Sequence, residues 1–342
     1  MLMYSFRNDY GEGAHPAVLA LLLQTNMRQA KGYGEDEFCA RAKELIQREI
    51  KREDADIYFL SGGTQTNLLA ISAALRPHEA VISAASGHIC VHEAGAIESS
   101  GHKILTVDSA DGKLTADQIA PVLALHDNFH MVKPRLVYIS NSTELGTVYS
   151  RQELAALHEF CQKHQLLLFV DGARLAAALT APGNELTLAD MAAYTDCFSI
   201  GGTKNGALLG EALVLTHNCF KEDFDFISKR GGAMLAKGRL LGLQFLALFE
   251  NGLYYENARH ANRLALRLKQ GLIQRGYRLL SDSPTNQQFV LMPRPLGQKL
   301  AQEYGCEIWQ DGEEQMCIRL VTSWATPKEA VEELLTAIND EQ

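Results

Sequence analysis

The sequence has no run of basic residues, no apolar stretch near the roughly 20 residues that a membrane-spanning helix needs, and no Cys-x-x-Cys pair. Each absence removes a class of function. Without clustered Lys and Arg, and with a net charge of −9, the chain is not expected to hold nucleic acid. Its seven cysteines, at 39, 90, 161, 197, 219, 306 and 317, are odd in number and scattered, so neither a disulfide framework nor a zinc site is indicated. They read as reduced, mostly buried small hydrophobes. Met1 to Tyr10 contains Arg7, Asn8 and Asp9 and lacks the apolar core of a signal peptide, so the expectation is a soluble, cytoplasmic protein with no membrane partner. No internal repeat, low-complexity segment or extended linker is visible. What remains is ordinary globular material, 46% hydrophobic and 21% charged over 342 residues, enough for one large or two moderate domains.

The chain is organised around Leu166 to Leu175. Five apolar residues, Leu166 to Val170, suit a strand buried on both faces, and the run stops at Asp171. Farther on, Cys197-Phe198-Ser199-Ile200 runs into Gly201-Gly202-Thr203-Lys204-Asn205-Gly206. An acid and a lysine then sit at the ends of two strands, where open α/β sheets place their ligands. Pyridoxal phosphate chemistry uses this pair: a lysine holds the cofactor as a Schiff base and a carboxylate faces its pyridine nitrogen. Taken alone, each residue also fits a solvated strand end, so the reading depends on the rest of the chain.

The other parts are present. A helix is expected from Pro16 to about Met27, and Phe38 to about Lys51 carries apolar residues at helical spacing. Asp56 to Leu60 reads as a strand that ends in Ser61-Gly62-Gly63-Thr64-Gln65-Thr66-Asn67 before a helix. A Gly-rich turn entering a helix suits a phosphate, with the Thr64 and Thr66 hydroxyls as added donors, although it also suits a plain N-cap. Strands follow at Ala80 to Ser83 and Arg135 to Ile139, and a helix around Arg151 to Gln165 leads into the central strand. His88 and His92, four apart, could share a helical face and bind a metal, but no third ligand stands at a supporting spacing. A ring stacked on a planar cofactor is the more economical use. Successive strands thus deliver polar loops to one edge of a parallel sheet. Phe226 to Met234 interrupts the pattern, and a helical stretch runs from about Leu235 to Ile273 with a bend expected at Gly238, Gly242 or Gly252. From Tyr277 onward, short strands at Gln288 to Met292 and Cys317 to Thr322 and two helices read as a smaller α+β domain. The last helix opens on the capping box Thr326-Pro327-Lys328-Glu329.

Gly63-Thr64-Gln65-x-Asn67, His88 with Glu93-Ala94-Gly95, Asp171-Gly172-Ala173-Arg174 and the lysine loop at Lys204 together resemble the threonine aldolase and β-eliminating lyase family of fold-type-I pyridoxal phosphate enzymes. The match extends from Phe6-Arg7-Asn8-Asp9 to Arg319-Leu320-Val321-Thr322. The resemblance implies a large α/β domain over 14–250 with a mostly parallel seven-stranded sheet. A small α+β domain would comprise 251–342 and the N-terminal segment 1–13. It implies that Lys204 carries the cofactor, Asp171 pairs with its ring nitrogen, His88 stacks on its face, and Gly63 and Thr64 take its phosphate. Arg174 would lie near the cofactor oxygen and the substrate, and Arg319 would grip an α-carboxylate; without the resemblance, Arg319 reads as a surface ion-pair residue. Asn8 stands where the family has a serine near that carboxylate. Tyr33 (substrate) and Lys237 (cofactor) come from regions that reach a neighbouring subunit's site, so a homodimer or homotetramer with interfacial active sites is expected. The implied reaction is retro-aldol cleavage of a β-hydroxy-α-amino acid to glycine and an aldehyde, with β-elimination to a keto acid and ammonia as the alternative. One departure concerns the loop matching Ser142 to Leu145. Threonine aldolases carry a histidine there, whereas this chain has Thr143-Glu144. Glu144 then becomes the candidate base at the β-hydroxyl, with His92 a further one.

Overall fold

The computed structural model describes residues 3–339. Seven strands, β1 (Asp56–Leu60), β2 (Glu79–Ala84), β3 (Ile104–Val107), β4 (Lys133–Ser140), β5 (Leu167–Asp171), β6 (Cys197–Gly201) and β7 (Glu211–Leu215), form one sheet in the order β1-β7-β6-β5-β4-β2-β3. Only β7 is inverted: it pairs antiparallel with both β1 and β6, and every other pairing is parallel. The carboxyl ends of the other six strands therefore open on one edge, together with the first residue of β7.

Every residue of β2, β5, β6 and β7 is buried, and in β5 the side chains before Asp171 are all apolar, without the alternation of a half-exposed strand. Alternate side chains feed two cores. Leu168, Val170, Phe198 and Val214 pack on one face, and Leu167, Phe169, Cys197 and Leu213 on the other. Fully burying a side chain such as Phe169 stabilises the fold by about 1.5–3 kcal/mol.

Three helices precede or follow β1: α1 (Pro16–Thr25), α2 (Glu37–Ile50) and α3 (Gly63–Ala74). In α2 the buried residues Phe38, Ala42, Ile46 and Ile50 recur every fourth position, and the Asp36 carboxylate caps the start by accepting from the Phe38 and Cys39 amides. The apolar stretch after residue 235 is two helices, Arg239–Glu250 and Leu253–Gln274. The break falls at Gly252, whose φ of 73° is open to glycine at little cost. Gly242 lies inside the unbroken helix Arg239–Glu250, where a Cβ would collide with Cys39, so it serves close packing against α2. Residues in the interrupting segment form a helix of their own, Phe224–Arg230.

Beyond these helices lies an antiparallel sheet of β8 (Arg278–Leu279), β9 (Gln287–Pro293), β10 (Glu307–Asp311) and β11 (Gln315–Val321), in the order β10-β11-β9-β8. Its core joins Val290, Ile318 and Leu320 to Leu264, Leu268, Leu334 and the N-terminal Phe6. Phe6 is tied in by backbone bonds to Tyr304 and Val321, both 2.9 Å, which leads residues 7–9 toward the edge of the large sheet. Strands β3, β7, β8 and β10 carry no clear sequence signal. β8 is two residues long, β10 has mostly polar or exposed side chains, and β7 begins on a glutamate.

Candidate active site

The strand ends surround a cleft of about 820 Å³. Asn8, Gly63, Thr64, His88, Glu144, Asp171, Arg174, Lys204 and Arg319 all line it, as do His92, Ser140 and Glu211. Close backbone approach draws the strand ends beside it together. A Cβ on Gly172 would collide with Ser199 O, and one on Gly201 with Ala173 O, so only glycine lets the ends of β5 and β6 converge here.

Asp171, the last residue of β5, is 5% exposed and held by three donors. Its Oδ2 accepts from Tyr138 Oη at 2.7 Å and Asn67 Nδ2 at 2.9 Å, and its Oδ1 accepts from the Ala173 amide at 2.9 Å. Four acceptor sites less three bonds leave one free, on Oδ1, for a donor in the cleft. Burial opposes its charge, but His88, Tyr138 and Asn67 outweigh burial and hold the carboxyl below its usual range. Asn67 Nδ2 also donates to Glu93 Oε1 at 2.7 Å, and Glu93 Oε1 in turn bonds His88 Nδ1 at 2.7 Å. Burial lowers the affinity of His88 for its proton, yet Glu93, Asp171 and Glu144 shift it upward overall. The ligand atoms of His88, Glu93 and Asp171 lie within 4.8 Å of one another, a spacing that a metal could use. Asn67, donating to both carboxylates, accounts for the cluster as a hydrogen-bonded mount for the imidazole.

Lys204 sits in the turn Thr203–Asn205 after β6. That turn is clamped: Asn205 Nδ2 donates to Tyr254 O at 2.8 Å, Asn257 Nδ2 donates to Asn205 O at 2.9 Å, and the His15 amide donates to Gly206 O at 2.9 Å. Burial, then the charge of Arg174, pulls the Lys204 ammonium below the ordinary lysine value, so the amine is more readily available as a nucleophile or base.

Two arginines are engaged differently. Arg174 is locked to Asp9 through Nε at 2.7 Å and Nη2 at 3.1 Å, and Asn286 Nδ2 holds the same carboxylate at 2.9 Å. Arg319, on β11, pairs with Glu307 and reaches Gln287 Oε1 at 3.4 Å, while its buried Nε has no partner. Burial and Arg174 hold its pKa below the ordinary value for arginine. A planar carboxylate entering the cleft would satisfy that orphaned donor. Arg319→Lys, which keeps the charge and removes the fork, is expected to raise KM for the amino acid roughly tenfold or more while changing kcat less, as the loss of a charge-assisted hydrogen bond implies.

The phosphate end also fits. Gly62 and Gly63 leave open space where a Cβ would stand, and the first intrahelical bond of α3 is from the Thr66 amide to Gly62 O. The amides of Gly63, Thr64 and Gln65 thus precede the helical ladder. Thr64 is exposed to the cleft, but Thr66 is not a donor there: it is buried and its hydroxyl turns back to Gly62 O at 2.9 Å. The residues present fit a cofactor with a phosphate, a planar ring and a basic ring nitrogen, which would meet the amides of α3, the His88 ring and the free lone pair of Asp171.

Tyr33 and Lys237 are not in this cleft. Both are exposed and lie beside each other on the surface, where the Tyr33 amide donates to Ala236 O at 3.3 Å and Lys229 Nζ stands 4.3 Å from the Tyr33 ring. Asp9, Asn67, Glu93, Tyr138 and Glu211 were missed as site residues. Glu93 and Asn67 belonged to recognised motifs, and their polar side chains beside apolar neighbours were the available signal.

The Beta-eliminating lyase family model matches residues 7–294. A low specificity L-threonine aldolase of Pseudomonas sp. is 33% identical over 97% of this chain and 96% of its own length, and one from Pseudomonas aeruginosa is 32% identical over 96% and 95%. The Leishmania major threonine aldolase structure superposes with a TM-score of 0.97 at 45% identity over 99% of both chains. A methionine aminotransferase from Escherichia coli shares the fold alone, with a TM-score of 0.77 at 15% identity over 99% and 94%. The chain belongs to the β-eliminating lyase and threonine aldolase family of fold-type-I, pyridoxal phosphate-dependent enzymes.

Proposed function

We propose that this protein is a carbon–carbon lyase that cleaves a β-hydroxy-α-amino acid of the L-threonine or L-allo-threonine type to glycine and an aldehyde. The observation that carries the reading is the convergence of Lys204, Asp171 and Arg319 on one cleft, in a chain whose relatives are L-threonine aldolases. Bound in the cleft, pyridoxal phosphate supplies an electron sink for the bond between Cα and Cβ. Lys204 anchors it and exchanges protons with the substrate nitrogen and Cα. Asp171 would hold a negative charge against the ring nitrogen, and the His88 ring would cover the cofactor face. Arg319 grips the α-carboxylate, with Arg174 and Asn8 beside it. Glu144, 8% exposed and accepting from Ser140 Oγ at 3.4 Å, lines the cleft and is the candidate base for the β-hydroxyl proton. His92 is exposed at the same cleft and is the second candidate. The test is product analysis with L-threonine and L-allo-threonine. Glycine and acetaldehyde in equal amounts are expected; a keto acid with ammonia would instead assign β-elimination.

The active assembly is a cytoplasmic homo-oligomer, a dimer or tetramer, in which Tyr33 and Lys237 complete a neighbour's site. All seven cysteines are free thiols, in keeping with a reducing compartment, and among the described residues no helix is long and apolar enough to cross a membrane. Leu19, Leu23 and Met27, at 47%, 78% and 90% exposure, form an apolar stripe on and just beyond α1 that supports a subunit contact. Leu23→Asp is expected to shift the mass measured by light scattering toward the monomer; an unchanged mass would remove α1 from the interface.

A further inference from the structure

Glu211 is a buried acid that the reaction above does not use. It is the first residue of β7, and its Cα is paired across the sheet with Leu60 on one side and Gly201 on the other, the last residues of β1 and β6. It therefore stands between the Ser61–Thr64 turn and the lysine turn, and it lines the cleft with both. The residue is 4% exposed, and its Oε2 is wholly buried without a hydrogen-bond partner. An unpaired carboxylate oxygen in such a position is costly. The cleft's three arginines, Arg7, Arg174 and Arg319, come from the N-terminal segment, the loop after β5 and β11, not from the elements flanking β7.

From this placement we propose that Glu211 is a neutral carboxylic acid that donates a hydrogen bond to the cofactor phosphate, making phosphate retention depend on pH. The inference rests on the pyridoxal phosphate reading of the cleft. A dianion seated on the α3 amides would repel an ionised Glu211, whereas the protonated form adds a donor. Burial raises the Glu211 pKa from 4.5 to about 8, against the opposing pull of Lys204, Thr203 and the Gly202 amide. Facing groups are Lys204 from the turn after β6, Asp171 from β5, which raises it further, and the buried Tyr254 from helix Leu253–Gln274. The sign follows. Below about pH 8 the apoprotein already carries the proton and affinity is level. Above it, each unit of pH weakens binding by up to about tenfold until the complex itself ionises.

The probe is 4-deoxypyridoxine 5′-phosphate, which lacks the aldehyde and so cannot react with Lys204, titrated into apoprotein by fluorescence from pH 6.5 to 10. Wild type is expected to lose affinity above pH 8 relative to Glu211→Gln, which keeps a donor at all pH values. Coincident profiles would overturn the proposal, as would a folded Glu211→Gln that fails to bind at neutral pH. A wild type that binds the probe at no pH would sink the pyridoxal phosphate reading itself, with the inference that rests on it. Thermal unfolding of the apoproteins supplies an independent check. A raised carboxyl contributes stability that is full below about pH 4.5 and gone above about 8. The wild-type Tm should fall relative to Glu211→Gln across that window; parallel Tm profiles would mean that Glu211 is not held neutral, and the proposal would fail.

Discussion

Lys204→Ala is expected to yield a folded protein that lacks the visible absorbance of lysine-bound cofactor and whose kcat is down by about 10³-fold or more. The magnitude reflects two losses, the covalent anchor and a proton-transfer group poised by burial and by Arg174. The fold should survive because the turn is held by other atoms: the Asn205 and Asn257 amides, and the bonds from the Gly202 and Thr203 amides to Gly210 O. Truncating the side chain also removes a buried amine from a site that disfavours its charge. The Tm should therefore stay near or above that of wild type. A variant that kept both the band and turnover would show that another lysine carries the cofactor.

Asp171→Asn tests a different link. The side chain keeps nearly the same shape, and Tyr138 and the Ala173 amide can still be partnered, since the Tyr138 hydroxyl can accept as well as donate. What is lost is the negative charge behind the ring nitrogen, together with the bond from Asn67, which would now face a second NH₂. The lysine-bound cofactor band is expected to persist while kcat falls by about 10²–10³-fold, the scale of removing one preorganised electrostatic contact from a buried site. The His88 proton affinity should fall as well, because Asp171 is one of the charges that raises it. An NMR titration of the His88 ring reads that shift independently of turnover. Full activity in this variant would mean that the ring nitrogen does not face Asp171.

Much of the architecture was legible because burial on both faces leaves a plain mark. The run at Leu166 to Val170 is apolar throughout, that at Cys197 to Ile200 is apolar but for Ser199, both end where polar groups become useful, and the observed strands stop within a residue of those points. Strand β7 is just as buried, yet it follows the lysine turn so closely, and starts on so polar a residue, that it reads as a continuation of the loop. Thr66 misled for a local reason: a threonine in a first helical turn can satisfy its hydroxyl on the preceding turn's carbonyl, and here it does.

By itself the sequence determined which residues end the buried strands, because short apolar runs need no partner to be recognised, and so it put Asp171 and Lys204 on the edge where a parallel sheet opens. Only the tertiary structure decided what surrounds them. Arg174 meets Asp9 across 165 positions, Asp171 meets Asn67 across 104, and Arg319 lies within reach of Glu307 across the β10–β11 pair. Glu211 reaches the cleft because β7 is inserted antiparallel between β1 and β6. No local pattern encodes such meetings: they follow from strand order and register, which the burial of the whole sheet selects.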